Sequence, residues 1–228
     1  MSMLSFTRRG TLFALSALAL AACGGATDGD STSASSGTND SEGIVLQDII
    51  FGDPDAPVTI VEYASWTCPA CLDFHARIMP PVKADYVDTG KVKLVFREFP
   101  TAPANIAVAG FALARCAEDA EYYDILDELF MRQDAILTLA RQGGPVVEAL
   151  KQVGANHGIE GDEAFQACLD DQGNRDAIRA SIAAARAKGV DATPTFFLNG
   201  EEMDGNVRIS PVTFTAALDE ALGEPASE

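Results

Sequence analysis

No apolar run in the sequence reaches the 18 or so residues that a membrane-spanning helix needs, so no segment is a candidate for such a span. Cations are scarce. Lys and Arg number 16 against 34 Asp and Glu, a formal net charge of −18. Nucleic-acid binders neutralise phosphates with clustered cations, so this balance sets that class aside. No internal repeat is present. With no second Cys-x-x-Cys and no His pair, the four ligands of a structural zinc site are also missing. What remains is ordinary globular material: 47% hydrophobic and 22% charged residues, enough apolar side chain for a sizeable core and too much for full disorder. The 228 residues suit one large or two small domains. Cysteine numbers five, and the odd count is informative.

Residues 1–22 read as an export signal, with Arg8 and Arg9 as the positive region and Thr11 to Ala22 as a short apolar core. Thr7-Arg8-Arg9-Gly10-Thr11-Leu12 also resembles a twin-arginine signal, and both export routes stay open. Leu20-Ala21-Ala22-Cys23 resembles the bacterial lipobox, which implies cleavage before Cys23 and diacylglycerol on its sulfur. At about 0.8 kcal/mol per buried methylene, several acyl chains would hold the protein on a membrane. Residues 23–43 follow as the lipidated cysteine and a flexible linker of small and polar residues, with no apolar side chain larger than Ala to offset ordering entropy.

From residue 44 to 228 the pattern is globular. Val58-Thr59-Ile60-Val61-Glu62-Tyr63-Ala64 predicts a buried central strand. A helix is expected from about Cys68 to Asp88, kinked at Pro80-Pro81, and a second strand over Val92–Arg97. Strand, helix, strand implies a parallel pair with a right-handed crossover. Residues 103–188 read as wholly helical. Tyr122, Ile125, Leu126, Leu129 and Phe130 form a core-facing stripe, Gly143-Gly144-Pro145 divides two helices, Gly161-Asp162 offers a cap, and Gly189 ends the block. Thr195–Leu198 is a strand, Asn199-Gly200 a hairpin turn into a strand around Met203–Ile209, and Ser210-Pro211 opens a last helix to about Leu222. The order is β-α-β, a helical block, then β-β-α. The fold class is α/β: a thioredoxin-like mixed sheet of four or five strands with an all-helical insertion.

Two cysteines two residues apart, Cys68 and Cys71, can mark a zinc half-site, a haem attachment or a redox pair. Haem attachment needs His after the second cysteine, and Leu72 stands there. Cys68 falls where a strand ends and a helix begins, with Pro69 suited to the first turn. Unpaired amides and the helix dipole at such a start stabilise a thiolate, lowering a cysteine pKa from about 8.5 to somewhere between about 3.5 and 7.5. Cys68 is then the attacking and leaving sulfur, and Cys71, one turn deeper, resolves the mixed disulfide.

On Cys68-Pro69-Ala70-Cys71, the helical insert and Thr193-Pro194-Thr195-Phe196-Phe197-Leu198-Asn199-Gly200, residues 44–222 resemble the DsbA family of thiol:disulfide oxidoreductases. The resemblance implies a cis Pro194 facing the redox pair, with the Thr193 backbone aimed at substrate, and a buried acid, Glu62, that accepts or relays the Cys71 proton. The family often has a histidine where His75 stands; a structural role is the plainer reading of it, and His157 has no assigned task. Ala70 replaces the His common in strong oxidants of the family, so an intermediate potential, still oxidising relative to thioredoxin, is expected. Cys116 and Cys168 are either free thiols or, in an oxidising compartment, a bridge; a second bridge in some relatives favours the pair.

The expected activity is that of an exported protein disulfide oxidase. It acts on reduced or unfolded exported clients and is reoxidised by a membrane partner or a small disulfide, with no metal or organic cofactor. The expected place is the periplasmic side of a bacterial envelope, anchored by lipid on Cys23. A disulfide reductase or isomerase is the alternative within enzymes, and a copper-binding thioredoxin-fold chaperone the alternative outside them.

Overall fold

The β-branched run beginning at Val58 forms strand β2 (Val58–Ala64) of the computed structural model, which describes residues 47–117 and 119–223. The expected leader, Cys23 and linker lie outside those residues. β2 runs parallel to β3 (Val92–Glu98), in register from Val58 opposite Val92 to Ala64 opposite Glu98, and antiparallel to β4 (Thr195–Leu198). Two short strands complete the sheet, β1 (Ile49–Phe51) beside β3 and β5 (Glu201–Glu202) beside β4, in the order β1-β3-β2-β4-β5. Ile60, Leu94, Phe96 and Phe196 are buried, consistent with central strands covered on both faces.

The crossover from β2 to β3 is α1 (Pro69–Arg77), α2 (Met79–Val82) and a π-helical turn at Lys83–Val87. Pro80 and Pro81 have no amide to give to carbonyls one turn earlier, so the helix stops at Ile78 and restarts. Between β3 and β4 run α3 (Ala104–Ala114), α4 (Asp119–Met131), α5 (Gln133–Arg141), α6 (Val146–Asn156), α7 (Gly161–Asp170) and α8 (Gln172–Ala187). The stripe from Tyr122 to Phe130 is buried as its spacing predicts. At the start of α7 the capping position is Glu160, one residue before the expected Gly161-Asp162, and it makes no side-chain cap bond.

The C-terminal strands depart from expectation. Asn199 and Gly200 both take positive φ, 49° and 92°, as a two-residue hairpin turn requires. The returning strand, however, covers Glu201–Glu202 instead of Met203–Ile209, and Val207–Ile209 is a 3-10 turn. The cause is local: Asp204 Oδ1 accepts from the Asn206 amide at 2.7 Å and its carbonyl from Val207 at 3.0 Å. An Asx turn of this kind ends an extended chain. Helix α9 (Pro211–Leu222) then seals the sheet with Phe214 and Leu218.

Two links tie the helical insert to the sheet and to itself. Glu98, fully buried at the end of β3, accepts two bonds from Arg115, Nε at 2.5 Å and Nη2 at 2.9 Å, and a third from the Tyr122 hydroxyl at 3.2 Å. Cys116, just after α3, is bonded to Cys168 on α7, with Cα atoms 5.5 Å apart and 52 positions between them in sequence. A loop of that length gives about 4 kcal/mol in the chain-entropy picture. Removing Arg115 alone leaves a buried carboxylate with the Tyr122 hydroxyl but no cation, which costs about 3–5 kcal/mol. Urea unfolding of Arg115→Ala should therefore show a loss at least comparable to that of the Cys116→Ala/Cys168→Ala double variant. A loss below about 1 kcal/mol for Arg115→Ala would show the pair to be dispensable.

Candidate active site

β2 ends at Ala64, and the chain turns through Ser65, Trp66 and Thr67 into α1, with the Cys68 amide bonded to the Ser65 carbonyl at 3.0 Å. Cys68 is the N-cap of α1, in extended backbone (φ −87°, ψ 122°), and Pro69 is the first helical residue. Cys71, one turn on, is fully buried, and Cys68 keeps only 8% exposure. Both are free thiols.

The helical insert grips this turn. Gln133, buried at the start of α5, donates from Nε2 to the carbonyls of Trp66 at 2.6 Å and Cys68 at 3.0 Å. Trp66 is buried and donates from Nε1 to the Ala107 carbonyl in α3 at 2.9 Å. Gly110 on the same helix lies so close that a Cβ there would come within 2.3 Å of Nε1. Ser65 and Thr67 pair through their hydroxyls at 2.9 Å, and Thr67 continues to Thr101 at 2.9 Å. None of these residues was singled out from the sequence. Gln133 stands 65 positions from Cys68, and nothing local to it announces the contact. Trp66 offered a signal, as the one tryptophan of the chain next to the cysteine pair.

Pro194 is buried and follows a cis peptide bond from Thr193. The Thr193 carbonyl oxygen lies 3.4 Å from Cys68 Sγ. On the outer side, the Arg208 guanidinium donates to the Pro194 carbonyl. The structure thus brings Cys68, Cys71, Thr193 and Pro194 together.

The two sulfurs have opposite electrostatics. The Cys68 thiol falls from its ordinary 9.0 to about 5, chiefly because the Cys71 thiol donates a hydrogen bond to the thiolate. Burial works against this, while the Thr193 hydroxyl and the amides of Cys71 and Ala70 add to it. The helix start therefore acts as expected, but the neighbouring thiol acts more strongly. Cys71 is pushed far upward by burial, by the bond it gives to Cys68, and by the negative charges of Cys68 and Glu62.

Glu62 is fully buried in β2, and its Oε1 accepts from His75 Nε2 at 3.1 Å; its Oε2 has no partner among the described residues. His75, on α1, stacks on the Phe130 ring at 4.1 Å. Burial disfavours its charge, yet Glu62 and Asp127 outweigh that and raise it to about 9. Its contribution to folding is therefore complete below about 6.5 and lost as pH rises through about 9. His157 pairs with Glu128 at 2.9 Å, apart from these residues. No group of three or more His, Cys, Asp or Glu is placed to hold a metal ion among the described residues.

The sequence model of the thioredoxin family matches residues 45–220. The chain belongs to the thioredoxin family. Within the thioredoxin family it is similar to a Rickettsia conorii protein named as a candidate protein-disulfide oxidoreductase. The two are 34% identical over 182 residues, covering 78% of this chain and 61% of that one. A Rickettsia bellii protein of the same name is 29% identical over 177 residues, covering 78% and 65%. The chain thus spans less than two thirds of the length of these relatives. Among solved thioredoxin-fold structures, Wolbachia pipientis alpha-DsbA1 superposes with a TM-score of 0.63 at 29% identity, covering 77% of this chain and 91% of that one.

Absorbance of the reduced protein at 240 nm should titrate with a midpoint near 5, and Cys68→Ser should abolish that transition. Because the folded value lies below that of a free thiol, the thiolate stabilises the reduced form fully above about pH 9. That benefit wanes as pH falls toward 5. The melting temperature of the reduced protein should accordingly gain on that of the disulfide form between pH 5 and 9. A midpoint at 8 or above would refute the assignment of Cys68. Gln133→Ala should cost about 1–3 kcal/mol in denaturant unfolding through the Trp66 carbonyl it leaves unpaired, since the Cys68 carbonyl keeps the Leu72 amide at 3.1 Å.

Proposed function

We propose that the chain is an exported thiol:disulfide oxidoreductase acting mainly as a protein disulfide oxidase. The observation that carries this reading is the split between the sulfurs. Cys68 falls to about 5 beside the Thr193 carbonyl, while Cys71 is held protonated beneath it. In the disulfide form a client thiolate attacks Cys68 Sγ. The Cys68–Cys71 bond breaks, and its electron pair leaves on Cys71, which takes up a proton. A second client thiolate then attacks the client sulfur of the mixed disulfide and expels Cys68 as a thiolate, a stable leaving group at neutral pH. The client gains a disulfide, and the two electrons rest on the Cys68–Cys71 dithiol. Clients are reduced or unfolded exported proteins, whose extended backbone pairs with that of Thr193 before Pro194. A membrane partner or a small disulfide accepts the electrons in turn. This exchange requires no metal or organic cofactor.

The names of the Rickettsia relatives and the likeness to Wolbachia alpha-DsbA1 support the same reading. The reading includes a leader over residues 1–22, lipid on Cys23, and a linker to residue 43 that would give the domain over 44–228 a reach of tens of ångströms from a membrane. On this reading the domain works on the periplasmic side of a bacterial envelope, and mass spectrometry of the mature N-terminus tests the anchor by the presence or absence of acyl chains on Cys23.

The discriminating experiment sets oxidation of a reduced client beside insulin reduction and copper titration of the dithiol. Client oxidation that vanishes in Cys68→Ala supports the oxidase. Preferred insulin reduction would favour a reductase or isomerase, and tight copper binding without exchange would favour a metal chaperone. Ala70 brings no cation to the thiolate, so a glutathione titration should give a potential between the extremes of about −270 mV and −120 mV, above that of thioredoxin. A value at the lower extreme would contradict the oxidase.

A further inference from the structure

His75 fills no place in the exchange described so far, yet it is built into the floor of the site. Its side chain is 4% exposed and touches a carboxylate on either side. Nε2 meets Glu62 Oε1 at 3.1 Å, and Nδ1 stands 3.8 Å from Oδ1 of Asp127, a half-exposed residue of α4. That second distance is an ion-pair separation rather than a hydrogen bond. A cleft of about 330 Å³, lined by Leu72, His75, Met79, Asp127, Phe130 and Met131, opens this side of the ring. The other groups facing the cleft and the smaller cavity beside it are Lys83, Asp124 and Tyr123, and Lys83 is paired with Asp88 at 2.9 Å.

A carboxylate buried as completely as Glu62 is neutralised by its surroundings unless a cation or hydrogen bonds compensate it. His75 is the group placed to do so. We propose that His75 is a captive counter-cation, held from outside by Asp127, that compensates the buried Glu62 carboxylate in its role as the proton acceptor for Cys71. The inference rests on the exchange reading of Cys68 and Cys71. When a mixed disulfide on Cys68 is resolved, the Cys71 S–H proton passes to Glu62, whose Oε2 is unpartnered. The Cys71 sulfur attacks Cys68 Sγ, the Cys68–Cys71 bond forms, and the other sulfur departs as a thiolate. Removing the cation leaves a buried carboxylate with no counter-charge, an arrangement that burial disfavours and that impairs its service as the base. His75 acts through Glu62 and is a positioning residue. Its own rise to about 9 keeps it charged across the working range.

Stopped-flow reaction of the reduced, full-length protein with glutathione disulfide separates the steps, since Cys68 attacks first and Cys71 resolves second. In His75→Gln the first step should stay within about twofold of the parent. The second should slow at least tenfold at pH 7 and recover in alkali. Asp127→Asn, a surface change that leaves the packing intact, should slow the second step several-fold and lower the His75 titration seen by NMR, whereas Asp124→Asn should do neither. In Glu62→Gln the second step should be slow without alkaline recovery. A second step in His75→Gln whose pH profile superimposes on the parent's overturns the proposal. So does equal slowing of both steps at every pH, which would mark mere structural damage, and so does an Asp124→Asn effect equal to that of Asp127→Asn. A parent protein that does not react with the disulfide at all removes the exchange reading and this inference together; a reactive parent with unmoved variants removes this inference alone.

Discussion

The hydrogen bond from the Cys71 thiol to the Cys68 thiolate is the interaction on which the site depends. It requires one sulfur to be an anion and its neighbour, three positions further along the chain, to stay protonated. Burial enforces the difference. Cys71 sits under the helix start where an additional charge would be poorly solvated, while Cys68 keeps a narrow opening toward Thr193. Ionising either sulfur makes ionising the other harder, so the dithiol holds a single negative charge near neutrality.

Holding that geometry falls largely to the helical insert. Gln133 ties down the carbonyls of Trp66 and Cys68, Ala107 takes the indole N–H, and Gly110 gives the indole room. Glu98 and Arg115 anchor the same helices to the end of β3. The sheet supplies the opposite wall, through β4 and the peptide before it. A site assembled this way has its reactive atom on one short turn and its supports on elements far away in sequence.

That division explains what the sequence could and could not disclose. Patterns written within a dozen residues were legible: the apolar run of β2, the Cys-Pro-Ala-Cys step into α1, the stripe on α4, and the Asn199-Gly200 turn. Thr193-Pro194 was legible through resemblance. β1 was not, because three residues carry no period, and the strand expected over Met203–Ile209 gave way to a side-chain turn at Asp204 that competes with sheet pairing. Gln133 and Asp127 look like ordinary polar positions of helices, and only the folded chain puts one against the Cys68 carbonyl and the other beside His75. His75 itself carried two readings that its sequence position could not separate, since pairing with Glu62 is a contact across the core between strand and helix.

The bridge between Cys116 and Cys168 bears on how the molecule is made. Closing it removes two electrons and two protons from a freshly synthesised chain, so the fastening of α3 to α7 depends on an oxidant that the chain meets after synthesis. A cell starved of oxidant would accumulate chains whose helical insert is unfastened.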